Sequence, residues 1–283
     1  MDLHIHSTAS DGMCTPSEIV DLAIERGLST IAITDHDTVG GMDDAQHAAS
    51  CPGLEVIPGV EINAEGAWGD FHLLGYFVNP ESRMLRGRLK ANRDARDERA
   101  RKMVRSLTNM GMPLTRDEVQ ALTDGGSIGR PHIAQALLNR GYIDTFEEAF
   151  ERYIGLDGPT YFPRLQRKPQ DVIQIIVEAG GVPVLAHPSH SGPEAVDAVP
   201  DLVPLGLRGI ETHHPDHSLQ DVRDLLELAR AYGLIATGGS DFHGPCVDRG
   251  GALGSVGAPP GCVEQLREAA ASRNRVGSDQ RGC

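Results

Sequence analysis

Short apolar runs that end in His or acidic residues, spaced by amphipathic stretches, most constrain what this chain can fold into. Asp2-Leu3-His4-Ile5-His6 reads as a strand, and strand side chains alternate between faces. Asp2, His4 and His6 then share one face, while Leu3 and Ile5 point into a core. Thr30 to Thr34 is a second apolar run, followed at once by Asp35-His36-Asp37. Val182 to Ala186 runs into His187-Pro188, and Leu207 to Glu211 into Thr212-His213-His214. Leu234 to Thr237 leads to Gly239-Ser240-Asp241-Phe242-His243. Further strands are expected at about 54–62 and 71–78. Between the strands, Pro16 to Arg26 has the signals of a helix: Thr15 as N-cap, Pro16 at the first position, Gly27 at the end. Other helices are expected near 40–50, 169–179 and 218–231. This alternation predicts an α/β fold with mainly parallel strands. In a parallel barrel the rim beyond the C-terminal strand ends is where active sites are built.

Candidate metal ligands gather at that rim: His4, His6, Asp11, His36, Glu61, His72, His187, Asp241 and His243. Imidazole mixed with carboxylate, and no thiolate, suits Mn, Fe or Zn in a catalytic role. The set exceeds what one ion takes, so two or three divalent ions and a bridging carboxylate are expected. Glu61, in Pro58-Gly59-Val60-Glu61-Ile62, is the expected bridge. His47 falls in a helix and reads as surface. His190, His213, His214 and His217 fall on rim loops, as supporting or substrate groups or as solvated side chains.

Residues 82–160 change character and read as helical throughout, with helices near 116–123, 130–140 and 145–153. Arg83 to Arg105 holds ten Lys/Arg against three Asp/Glu, in a chain whose net charge is −14. On a helix Arg96 and Arg99 share a face, and Arg101 points away. Two readings stand: a solvated helix paired with Asp94, Asp97 and Glu98, or an anion-binding lid. Ser127-Ile128-Gly129-Arg130-Pro131-His132 favours the lid, because it puts Arg130 and His132 at a Gly-led helix start. The expected domains are a barrel over 1–81 and 161–273, a helical insertion over 82–160, and a frayed polar tail over 274–283.

Composition excludes several classes. The net charge opposes non-specific binding of nucleic acid or an anionic membrane, so neither duplex DNA nor a membrane is an expected partner. One Trp, five Tyr and six Phe leave little for broad base-stacking platforms. Five dispersed Cys without a CxxC pair fit reduced thiols. The first ligand strand begins at residue 2, leaving no room for a leader, and no apolar run approaches the ~20 residues of a membrane span. A cytoplasmic location is expected.

The motifs Asp2-Leu3-His4-Ile5-His6-Ser7 with Ser10-Asp11-Gly12, Ile33-Thr34-Asp35-His36-Asp37-Thr38, Pro58-Gly59-Val60-Glu61-Ile62, Leu185-Ala186-His187-Pro188 and Gly239-Ser240-Asp241-Phe242-His243 resemble those of the polymerase and histidinol phosphatase (PHP) family, in order and spacing. Arg96-x-x-Arg99-Ala100-Arg101 with Gly129-Arg130-x-His132 is similar to the branch acting on nucleoside 3′,5′-bisphosphates and short RNA 5′ ends. The resemblance implies a distorted (β/α)7 barrel with the helical subdomain inserted. It implies one metal on His4, His6, Glu61 and Asp241, and a second on Glu61, His72 and His187. Asp11, His36 and His243 form a third group that holds a metal or contacts the substrate phosphate. Mn is the expected metal, with Fe or Zn as alternatives. Asp2, Asp35 and Glu211 are expected to orient imidazoles.

The expected activity is hydrolysis of a nucleotide phosphate ester, the 3′-phosphate of a 3′,5′-bisphosphate or the 5′ end of short RNA, by a hydroxide formed at the metals. Arg99, Arg101, Arg130 and His132 are expected on the substrate's second phosphate, and Asp11, His36 and His243 near the reacting one. A histidinol-phosphatase-like or other small-metabolite phosphatase is the alternative, disfavoured by the basic stretch. A polymerase proofreading module is disfavoured because the chain ends soon after the barrel. A structural metal module is disfavoured because such sites are closed and rich in Cys.

Overall fold

Seven strands form one sheet in chain order: β1 (Asp2–Ile5), β2 (Thr30–Ile33), β3 (Glu55–Gly66), β4 (Gly69–Tyr76), β5 (Val182–Leu185), β6 (Gly209–His213) and β7 (Ile235–Gly238). The computed structural model describes residues 1–50, 53–66, 69–123, 128–163, 167–245 and 250–279, with only the backbone of Asp70, His190, Pro193 and 273–279. The chain forms two compact units, Met1–Arg88 with Arg167–Cys283, and Leu89–Gln166.

The sheet belongs to the first unit. Its β1–β2, β2–β3, β5–β6 and β6–β7 pairs are parallel, while β3–β4 and β4–β5 are antiparallel. The expectation of mainly parallel strands thus needs one correction: β4 runs against its neighbours. The reason is chain length, since a parallel return needs a crossover of a dozen residues or more. Only 67–68 separate β3 from β4. Beyond β7 the sheet curls back on itself. Phe242 bridges to Ile5, and the His6 amide donates to the Phe242 carbonyl at 2.9 Å.

Four helices of this unit stand where the sequence signals put them: Pro16–Glu25, Met42–Ala48, Pro169–Glu178 and Leu219–Tyr232. Pro16–Glu25 begins with a full capping box: Thr15 Oγ1 accepts from the Glu18 amide at 3.2 Å, and Glu18 Oε2 accepts from the Thr15 amide at 2.7 Å. Pro169–Glu178 packs on β3, β4 and β5, and Leu219–Tyr232 on β6 and β7. Cys262–Asp279 packs on β5 and β7 and continues into the stretch expected to be a frayed tail. Its Val263 and Leu266 join Leu3, Ala32, Ile57, Leu74 and Val184 in one buried cluster. Each of the Leu, Ile and Val side chains contributes roughly 1.5–3 kcal/mol on burial. Tyr76 donates its buried hydroxyl to the Leu3 carbonyl at 2.9 Å, which ties β4 to β1.

The second unit is helical. The helix Arg83–Asn109 enters it, followed by Arg116–Gln120, Arg130–Asn139, Phe146–Ala149 and a π-helical turn at Phe150–Ile154. Its core gathers Met103, Leu107, Val119, Ile133, Leu137 and Ile154. No described helix is long and apolar enough to cross a membrane.

Candidate metal centre

The strand ends bring the ligand candidates together. His6 follows β1, His36 follows β2, His187 stands two residues past β5, and Asp241 and His243 follow β7. Glu61 lies within the long β3, where the extension of β2 pairs with it. The Asp37 amide donates to the Glu61 carbonyl at 2.9 Å. His72 reaches the same rim from the start of β4 because that strand is reversed. It lies opposite Asn63, and its carbonyl accepts from the Ala186 amide, which places it beside His187.

Glu61 is buried and divides its two oxygens between two sets of rings. Oε1 lies 2.6 Å from His72 Nδ1 and 3.1 Å from His187 Nε2. Oε2 lies 3.5 Å from His4 Nε2, 3.2 Å from His6 Nε2 and 3.0 Å from His36 Nδ1. Asp241 Oδ1 joins the second set, 3.3 Å from His4 Nε2 and 3.1 Å from His6 Nε2. Asp11 Oδ1 lies 3.6 Å from both His6 Nδ1 and His243 Nε2, and Asp11 Oδ2 lies 3.9 Å from His36 Nε2. Among the described residues, four groups are close enough to hold an ion: His4, His6 and Asp241; His4, Glu61 and His187; His36, Glu61 and His72; and His6, Asp11, His36 and His243.

The donor set fits divalent metal. A carboxylate only accepts, so His4 Nδ1 must carry its proton to donate to Glu211 Oε1 at 3.1 Å. In the neutral ring that leaves the buried His4 Nε2 as a lone pair, and it makes no hydrogen bond. His243 Nδ1 likewise donates to the Asp241 carbonyl at 2.7 Å, which turns its Nε2 toward Asp11. Supporting acceptors that fix tautomer and ring orientation are the usual companions of metal-binding histidines. Without a cation the carboxylates draw protons onto the rings. Burial opposes a charged His6, but Asp241 and Glu61 outweigh it and lift the ring to about 10. Burial opposes the ionised Glu61 as well, yet His36, His72 and His4 hold it well below the usual carboxylate range. The pocket thus demands positive charge at its centre.

Two carboxylates expected to orient imidazoles do something else. Asp2 accepts from Ser240 and Gly254, and Asp35 from Ser7 and Ser10. Glu211 does contact a ring, that of His4. Sequence reasoning left His214 open. It is buried, its Nδ1 accepts from the Asp216 amide at 3.2 Å, and its Nε2 faces Asp241 Oδ2 at 3.7 Å. That arrangement leaves the proton on Nε2, facing the Asp241 carboxylate beyond hydrogen-bond length. His213 is half-buried beside the Thr212 hydroxyl, and His217 donates to the Thr212 carbonyl. His47 is exposed, and the His190 side chain lies outside the described residues.

Part of the basic helix is engaged in ion pairs. Lys90 meets Asp94 at 2.7 Å, Arg101 meets Glu98 at 3.4 Å on the exposed surface, and Arg116 meets Asp97 at 3.0 Å. Arg96 and Arg99 line a recess with Met103, Ile128 and Gly129. Arg99 Nε donates to the Phe162 carbonyl at 2.5 Å, and its guanidinium lies 5.5 Å from the centre of the Tyr161 ring. The Arg130 guanidinium lies 5.7 Å from the centre of the Phe150 ring. His132 Nδ1 accepts the Gly129 amide at 2.9 Å, so His132 caps its helix. Ser127 lies outside the described residues.

A curled α/β sheet that gathers buried imidazoles and carboxylates at one rim defines a metal-dependent hydrolase. The chain belongs to the PHP domain family, whose sequence profile matches residues 2–162. It is 34% identical over 249 residues to a 3′,5′-nucleoside bisphosphate phosphatase of Chromobacterium violaceum, covering 87% of each. It is 32% identical over 248 residues to a 5′-3′ exoribonuclease of Haemophilus influenzae, covering 87% of this chain and 90% of that one. A phosphoribosyl 1,2-cyclic phosphate 1,2-diphosphodiesterase of Eggerthella lenta is 33% identical over 253 residues, at 86% and 94% coverage. A crystal structure from Bifidobacterium adolescentis, assigned as a metal-dependent phosphoesterase, superposes with a TM-score of 0.82 at 33% identity, covering 94% of each chain.

Proposed function

We propose that this protein hydrolyses a phosphate ester of nucleotides: the 3′-phosphate of nucleoside 3′,5′-bisphosphates, and the 5′ ends of short RNA. The observation that carries a multi-metal phosphoesterase is Glu61, whose two oxygens serve separate sets of rings. One position draws on His4, His6, Glu61 and Asp241, the next on Glu61, His72 and His187, and a third on Asp11, His36 and His243. Mn is the metal proposed. Bound divalent ions supply a Lewis acid and an activated water near neutral pH.

The chain's own groups do the rest. His4 and His243 keep their Nδ1 protons on Glu211 and on the Asp241 carbonyl, and so present Nε2 inward. Glu61 and Asp241 hold negative charge at the centre of the pocket. Burial of Glu61, His4 and His6 keeps bulk water from screening these charges. Within the helical unit, Arg96 and Arg99 beside Gly129 form the proposed binding place for a substrate phosphate, since guanidinium groups match phosphate oxygens. Arg101, paired with Glu98 at the surface, has the weakest support among the expected phosphate ligands.

The test is a panel of adenosine 3′,5′-bisphosphate, a 5′-phosphorylated oligoribonucleotide, a ribose cyclic phosphate and histidinol phosphate against Mn-loaded protein. The bisphosphate should be cleaved to the 5′-monophosphate with the highest kcat/KM. A higher value for the cyclic phosphate moves the assignment to the diesterase branch, and a higher value for histidinol phosphate removes the nucleotide reading.

A further inference from the structure

Two buried aspartates beside the ligand cluster are built alike, and each grips the loop that carries a carboxylate ligand. Asp35 Oδ1 accepts from the Ser7 amide at 2.7 Å and the Ser10 hydroxyl at 2.5 Å, while Oδ2 accepts the Ser7 hydroxyl at 2.6 Å. Ser7 follows His6, and Ser10 precedes Asp11. The same loop is drawn tight by its own backbone: the Ser10 and Gly12 amides both donate to the Ser7 carbonyl. At the other end of the chain, Asp2 Oδ1 accepts from the Ser240 amide at 2.9 Å. Asp2 Oδ2 accepts the Ser240 hydroxyl at 2.6 Å and the Gly254 amide at 2.8 Å. Ser240 precedes Asp241. Asp2, Asp35, Ser7, Ser10 and Ser240 are all buried.

The grip has mechanical work to perform at Asp241. That residue has φ of 52°, the left-handed region, which side chains other than glycine adopt at a cost of about 1–3 kcal/mol. This turn directs the Asp241 carboxylate to His4 and His6. A loop free to relax would swing the carboxylate away. Asp35 gathers three charge-assisted hydrogen bonds from Ser7 and Ser10, and Asp2 takes two from Ser240 and a third from Gly254, so each fixes the backbone beside a carboxylate ligand.

We propose that Asp2 and Asp35 are positioning residues acting through serine: Asp2 with Ser240 sets Asp241, and Asp35 with Ser7 and Ser10 sets Asp11. The two clamps act separately, each on its own metal position. The proposal rests on the reading of this cluster as a metal centre.

Ser10→Ala and Ser240→Ala each remove one hydroxyl and leave the ligands in place. Ion number and affinity are read by equilibrium dialysis against buffered Mn with total metal analysis, alongside thermal melts. Ser10→Ala should weaken one ion by about ten- to a hundred-fold, the usual size for supporting contacts of metal ligands. That effect should vanish in an Asp11→Asn background and persist in an Asp241→Asn background. Ser240→Ala should weaken a different ion, with the dependence on background exchanged. Unchanged affinity in both serine variants, or equal effects in both backgrounds, overturns the proposal. Asp2→Asn and Asp35→Asn should reproduce the pattern more strongly; if either fails to fold, the serine variants decide. A wild-type protein that binds no divalent ion sinks the metal-centre reading itself, a different result from either of these.

Discussion

Replacing Glu61 with Gln tests the centre of the argument. The carboxylate is 1% exposed and has His72 and His187 against one oxygen, His4, His6 and His36 against the other. The amide keeps the shape and removes the charge from both sides at once. Each ion position loses a charge-assisted contact of roughly 1.5–3 kcal/mol, or about ten- to a hundred-fold in affinity. Linkage converts this into a melting shift. An ion at about 100 times its Kd stabilises by about 2.7 kcal/mol; at the same concentration and a Kd a hundred-fold weaker it gives about 0.4 kcal/mol. At about 2–4 °C per kcal/mol for a chain of this size, the metal-induced rise in Tm should shrink by about 3–9 °C per ion across the ten- to hundred-fold range. Differential scanning fluorimetry with and without Mn, together with total metal analysis, reads both quantities. Loss of one ion alone would show that Glu61 serves one position and is no bridge. An unchanged Tm rise would remove Glu61 from the centre. Glu211→Gln is the comparison, because Glu211 contacts the His4 ring and the His187 amide and none of the other proposed ligand side chains by a hydrogen bond among the described residues, and it should weaken binding less.

Four further outcomes are expected. Arg99→Ala should lower kcat/KM on the bisphosphate by roughly ten- to a hundred-fold with metal content unchanged, while Arg88→Ala, at an exposed position, should match wild type; equal behaviour would reduce the basic stretch to a solvated face. Metal affinity should fall as pH drops, since protons compete for the same imidazole and carboxylate atoms, and dialysis across pH 5 to 8 would refute this by showing a flat profile. Gly239→Ala should abolish soluble protein or metal binding, because a Cβ there would sit 2.4 Å from the His4 nitrogen; a wild-type melt would refute it. Thr15→Ala should cost about 1 kcal/mol through the lost cap, read as a Tm lower by about 2–4 °C with metal content untouched.

Much of the centre was legible from residue spacing. Period-2 alternation put His4 and His6 on one face, and the strand-end rule placed His36, His187 and Asp241 at one rim. Glu61 could be singled out as the candidate bridge because it is the acid of the run Pro58-Gly59-Val60-Glu61-Ile62. What alternation could not supply was strand direction. The rim position of His72 depends on β4 running backwards, and the clue was the short spacing after β3, a length argument and not a pattern one. His214 was left open for a related reason. It follows His213, neighbours in an extended chain face opposite ways, and nothing local says which of the two faces inward. The partners of Asp2 and Asp35 were misjudged because a carboxylate near a histidine in sequence need not meet it in space. The serine hydroxyls and amides nearer to them had prior claim.

The sheet's closure gives the two principal proposed ion positions different histories during folding. Glu61 and His72 sit in adjoining strands joined by two residues, so their half of the centre assembles with a hairpin, an event of microseconds. His4 and Asp241 come from opposite ends of the chain and meet only when Phe242 docks beside Ile5. Bringing such distant segments together carries the largest loop-closure entropy in the molecule. An ion held by both would therefore act as a staple across the seam, slowing the separation of the first and last strands. Chelation should speed unfolding as well as stop hydrolysis, with the seam between β1 and β7 opening first.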